Sequence, residues 1–77
     1  MKLSYKETRE LEVLPDTIAA LEREQTAITS ELADPALYKG EPERVHALQQ
    51  RYSSIESELM QCLARWEELE GRTKREP

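Results

Sequence analysis

The sequence predicts an all-α fold, an antiparallel two-stranded coiled-coil hairpin, and three observations carry the prediction. The 77 residues hold no Phe and only two Gly, in a background of Glu, Leu, Ala, Gln and Arg that suits long helices. Val45, Leu48, Tyr52, Ile55, Leu59, Cys62, Trp66 and Leu69 recur at alternating intervals of three and four, the narrow stripe of a helix that needs a partner. Leu11, Leu14, Ile18, Leu21, Gln25, Ile28 and Leu32 repeat that spacing upstream. The segment between the two stripes is short, so the partner is the same chain turned back on itself.

Taken in order, Ser4 and Glu7 have the spacing of a capping box and start the first helix near Tyr5, over about residues 5–33. Pro15 lies inside it. Proline removes the hydrogen bond to the Leu11 carbonyl, which predicts a kink or a short break there without a change of phase. Ala33-Asp34-Pro35 stops the helix, and Asp34 caps a single turn, Pro35 to Tyr38, that Gly40 is expected to close in a left-handed conformation. Leu37 and Tyr38 are expected to cover the apolar end near Leu32 and Val45. After the turn at 34–41, Pro42 suits the first position of a second helix over about 42–71, with Gly71 as its stop and residues 72–77 as a frayed tail. Residues 1–77 thus form a single domain.

One antiparallel register gives every core layer residue numbers that sum to 80, from Leu32 with Leu48, through Gln25 with Ile55, to Leu11 with Leu69. Beside the core, the sequence pairs Glu31 with Arg51, Thr17 with Arg65, Glu22 with Glu56 and Glu24 with Glu58. The two Glu-Glu pairs would bracket Gln25, repel, and hold their carboxyls above the ordinary range. They mark either a soft point and docking site for a basic partner or simply side chains splayed into water.

Composition narrows the function classes. No apolar run approaches the roughly 20 residues that span a bilayer, and Met1 to Tyr5 is no secretory h-region, so a cytoplasmic address is expected. Cys62 is the only cysteine and falls on the stripe, where a packed thiol is expected; His46 is the only histidine and has no second ligand nearby. The sequence contains no phosphate-binding glycine loop, no metal-ligand spacing and no nucleophile with a base, so neither catalysis nor a cofactor is expected of it. Leu63, one step off the stripe, is the only obvious apolar flank on which two hairpins could pair as a four-helix dimer, so a monomer is expected.

The net charge of −5 argues against coating nucleic acid by bulk attraction, yet its distribution is uneven. Residues 16–64 carry nine acidic and four basic side chains, whereas the chain ends balance. Antiparallel folding would gather Lys2, Lys6 and Arg9 beside Arg72, Lys74 and Arg75 at the open end of the hairpin. Such a cluster suits phosphates, with Tyr5 and Trp66 as stacking neighbours; the plainer alternative is interspersed surface charge, with Trp66 in the core.

Three motifs together narrow the reading further. Lys2-Leu3-Ser4-Tyr5-Lys6-Glu7 with Arg9-Glu10-Leu11-Glu12 and Leu14-Pro15, then Leu32-Ala33-Asp34-Pro35 with Leu37-Tyr38, then Arg65-Trp66-Glu67-Glu68-Leu69-Glu70 resemble the C-terminal domain of Uup-type ABC-F ATPases. The resemblance covers about residues 2–70. It implies a coiled-coil fragment of a cytoplasmic ATPase that has two ATP-binding cassettes and no membrane domain. It further implies DNA binding in support of the full protein, with RNA or the ribosome as related partners and the parent's own cassettes as neighbours. The rival expectation is a protein-interaction arm that docks through Glu22, Glu24, Glu56 and Glu58 on those cassettes or a ribosomal protein.

Overall fold

A capping box starts the first helix. In a computed structural model that describes residues 3–75, the Ser4 hydroxyl accepts from the Glu7 N–H while the Glu7 carboxylate accepts from the Ser4 N–H, each at 3.1 Å. From there α1 (Tyr5–Leu32) runs without interruption through Pro15. Pro15 is exposed, and the helix continues past the hydrogen bond that it forgoes to the Leu11 carbonyl. A phase-conserving proline inside one continuous helix resolves the alternative between bending and splitting against a split.

The connection differs from the sequence expectation at Gly40. No glycine among the described residues has positive φ, and α2 (Pro35–Gly40) includes Gly40 in its last turn. The chain turns instead at Glu41 (φ −140°, ψ 65°), whose N–H donates to the Leu37 carbonyl at 2.8 Å and whose carbonyl accepts from the Val45 N–H at 3.1 Å. One residue thus closes α2 and opens α3 (Pro42–Arg75). Asp34 caps α2 as its spacing predicts, accepting from the Ala36 N–H at 3.0 Å. Tyr38 serves α1 through its hydroxyl, which donates to the Leu32 carbonyl at 2.7 Å and satisfies one of the orphan acceptors of that helix end.

Gly71 does not stop the last helix. It has right-handed geometry and open space around its Cα, and α3 continues for another turn to Arg75. The continuation has local support: the Thr73 hydroxyl bonds back to the Leu69 carbonyl at 3.1 Å, and Arg72 is held by carboxylates on both helices. A helix propagates through a poor residue where side chains beyond it are anchored.

The described chain is all-helical and 59 Å long by 17 and 15 Å. Its buried residues are Leu14, Leu21, Ile28, Val45, Ile55 and Leu69, every one of them on the two predicted stripes. Leu21, Ile28 and Ile55 form a cluster on which Leu32, Leu48, Tyr52, Leu59 and Cys62 pack, so the lone thiol is a core group. Ile55 and Leu69 are wholly excluded from solvent.

Two outcomes test this fold. Ile55→Ala is expected to lower the free energy of unfolding in urea by about 2–5 kcal/mol, because it empties the best-buried site. Gly71→Ala is expected to raise stability by about 0.5–1 kcal/mol, as it does inside a helix. A loss instead would mean that Gly71 ends the helix in a left-handed conformation after all.

Candidate functional site

The charges that flank the core are arranged by a rule the stripes impose. In α3 between Pro42 and Thr73, the arginines are Arg44, Arg51, Arg65 and Arg72, spaced in multiples of seven and all one step before the stripe. They lie along one edge, about 10.5 Å apart per heptad. The facing edge of α1 carries Glu10, Thr17, Glu24 and Glu31 at the same interval. Arg44 reaches Glu31 at 2.6 Å, Arg51 holds both oxygens of Glu24 at 2.6 and 2.8 Å, and Arg65 holds both of Glu10 at 2.7 and 2.9 Å. Residue numbers fall along α3 as they rise along α1.

This corrects the pairs drawn from the sequence. Arg51 meets Glu24 rather than Glu31, and Arg65 meets Glu10 rather than Thr17. Glu24 and Glu58 do not repel across the seam, because Arg51 lies between them and also bonds Glu58 at 3.0 Å. The Glu24 carboxyl is accordingly lowered from the ordinary glutamate range by its hydrogen bonds from Arg51, the reverse of the raised value expected for a like-charged pair. The expected pairs lie on the right edges, each one step before its stripe, but one heptad out: Arg51 and Arg65 each reach a glutamate seven residues before the expected partner.

At the open end the same row becomes a network. Arg65 joins Glu10 to Glu68 at 3.2 Å and approaches Glu7 at 3.7 Å, while Arg72 bonds Glu7 and, at 2.6 Å, Glu68. Glu7 therefore serves the capping box of α1 and the last turns of α3 at once. Its carboxyl is lowered by the Ser4 backbone N–H first and by Arg72 as well; that of Glu10 is lowered chiefly by the Arg65 hydrogen bonds.

The residues singled out for phosphate contact fall into three groups. Lys6 and Arg9 are exposed on the first turns of α1, Arg9 making a single long contact with Glu12 at 3.4 Å. Arg72 is brought to the same end, but its guanidinium is already occupied by Glu7 and Glu68. Lys74 and Arg75 belong to the last turn of α3, and Lys2 lies outside the described residues. Tyr5 is exposed beside Lys6, whereas Trp66 is half-buried on the seam. Sequence reasoning missed the arginine row, although its seven-residue spacing is visible in the sequence. Among the described residues no group of acidic, His and Cys side chains could hold a metal ion, and no helix is long and apolar enough to cross a membrane.

The lowered carboxyls fix the sign of the pH dependence. A glutamate whose folded value is depressed stabilises the fold above its unfolded value and loses that contribution as pH falls through the folded one. Urea unfolding should therefore show a drop in stability between about pH 5 and pH 3, with Glu24→Gln giving a flatter profile than the parent protein. A profile that rises toward acid would contradict the arginine row.

With this geometry in hand, the chain can be set beside known proteins. Residues 2–71 match the family model described as ABC transporter C-terminal domain. Over 70 residues, 91% of this chain, it is 43% identical to an ATP-binding protein Uup-like and to an ATP-binding protein Uup of Haemophilus influenzae, covering 15% and 11% of those proteins. Over the same length it is 38% identical to the ATP-binding protein Uup of Escherichia coli, covering 11% of it. No solved structure matches the chain. The chain thus spans a small part of the relatives it resembles and corresponds to an accessory domain rather than to a catalytic cassette. It belongs to the ABC transporter C-terminal domain family, in the form carried by Uup-type ATP-binding proteins.

Proposed function

We propose that the chain is an antiparallel two-stranded coiled-coil arm that binds DNA on behalf of a Uup-like ATP-binding protein in the cytoplasm. The observation that carries this reading is the open end. There the exposed Lys6 and Arg9 of α1 are tied, through the Glu7 to Arg72 contact, to the final turns of α3 that carry Lys74 and Arg75. A backbone phosphate at that end meets the exposed Lys6 and Arg9 first. It then competes with Glu7 and Glu68 for Arg72, a charge-assisted exchange in which one anion replaces another. The contact itself requires no cofactor, and one hairpin suffices for it; ATP hydrolysis belongs to cassettes elsewhere in the parent chain.

Docking through the four mid-shaft glutamates is less well supported, because Glu24 and Glu58 are committed to Arg51. Along most of the shaft the arginines are likewise neutralised by carboxylates, so the shaft offers phosphates little net attraction. RNA shares the same phosphate chemistry and is separated from DNA by comparing affinities.

Fluorescence anisotropy with labelled duplex, branched and single-stranded DNA and with structured RNA tests the proposal over about 20 to 200 mM salt. DNA affinity is expected to fall steeply with salt. The double change Lys6→Glu and Arg9→Glu, at two exposed sites, is expected to weaken it by about tenfold or more at low salt. Absence of DNA binding at the lowest salt, or binding indifferent to the charge reversals, would overturn it.

A further inference from the structure

The two flanks of the hairpin are unequal, and the inequality points to a second surface. The flank described above is bridged by arginines. On the opposite flank, the positions one step after each stripe are Pro15, Glu22 and Thr29 on α1 and Gln49, Glu56, Leu63 and Glu70 on α3, with no Lys or Arg among them. Where no bridge crosses, the seam lies open. Pro15, Ile18, Leu63 and Trp66 line an apolar notch there, with Leu63 47% exposed and its neighbour on the next outward position, Met60, 73% exposed. Both exceed what one isolated surface apolar residue would require, and they adjoin a half-buried tryptophan. Glu22, Glu56 and Glu70 occupy the same flank positions, with Glu67 one turn past Leu63 and Arg23 beside Glu22.

We propose that this flank docks a basic amphipathic helix of a partner protein, with its apolar residues in the Leu63 and Trp66 notch and its Lys or Arg side chains on the surrounding glutamates. A groove between two helices accepts a third helix through anchors one turn apart, and the notch has that form. Charge complementarity selects the occupant. A second copy would bring an identical acidic flank and be repelled, and a nucleic-acid backbone would be repelled for the same reason. The surface is separate from Lys6, Arg9 and the final turn of α3, so the inference stands whether or not the open end binds DNA.

Trp66 is the only tryptophan and lines the notch, which makes its fluorescence a direct report. The probe is a synthetic amphipathic Leu/Lys peptide of about 18 residues, or five helical turns, without tryptophan, beside an oligolysine of equal charge and a Leu/Glu counterpart. Saturable change of Trp66 emission is expected with the Leu/Lys peptide alone. Leu63→Gln and Met60→Gln, both at exposed sites, are expected each to weaken it by about fivefold or more, with helicity by circular dichroism unchanged. Glu56→Lys is expected to weaken it comparably. Equal affinity for oligolysine, indifference to Leu63→Gln, or no saturable response to the Leu/Lys peptide would each overturn the proposal.

Discussion

Neither long helix can hide its own apolar stripe, and that constraint governs the rest of the molecule. A lone α3 would leave Ile55 and Leu69 in water, yet against α1 both are fully excluded from it. Mating the two stripes determines which edges face each other, and so which charges meet. It also explains why the helix survives Pro15 and Gly71. Each interrupts local hydrogen bonding or propensity, but neither shifts the phase of the stripe, and the burial gained along the seam outweighs the local loss.

From the seam follows an asymmetry of charge. All four arginines between Pro42 and Thr73 fall on the edge that faces the acidic row of α1, where two-pronged contacts bind Arg51 and Arg65 and single contacts bind Arg44 and Arg72. Individually such exposed pairs contribute little to stability, but their repetition at every heptad except that of Glu58 sets register and engages those four arginines. What is left for partners is uneven: exposed Lys6 and Arg9 at the end where Glu7 meets Arg72, and on the other flank an apolar notch lined by Leu63 and Trp66. A net charge of −5 is therefore compatible with both the phosphate contact proposed for one end and the basic partner proposed for one flank.

Much of the fold was legible because helices announce themselves by period. The two stripes, the Ser4 capping box, the Asp34 cap and the Pro42 start all rest on local spacing, and the structure has each where the spacing puts it. Gly40 and Gly71 were misread because a glycine permits a left-handed turn without requiring one; Glu41 turns the chain at the first, and the anchored Arg72 carries the helix past the second. The flanking pairs were misassigned by one heptad, enough to turn an Arg51 bridge into a supposed Glu24 to Glu58 repulsion. For the candidate site, Lys6 and Arg9 were legible as exposed cations, whereas the occupation of Arg72 by Glu7 was not. It arises from residues 65 positions apart that only the folded register brings together.

The register is the claim on which everything else rests, and spin-label distances test it most directly. Labels at Ser30 with Gln50 and at Asp16 with Ala64 occupy exposed outward positions whose residue numbers sum to 80, one pair near the turn and one toward the open end. Pulsed dipolar spectroscopy is predicted to give two similar distances, both far below the 59 Å length of the rod. A distance for Asp16 with Ala64 much longer than that for Ser30 with Gln50 would show helices that part toward the open end, and would contradict the account.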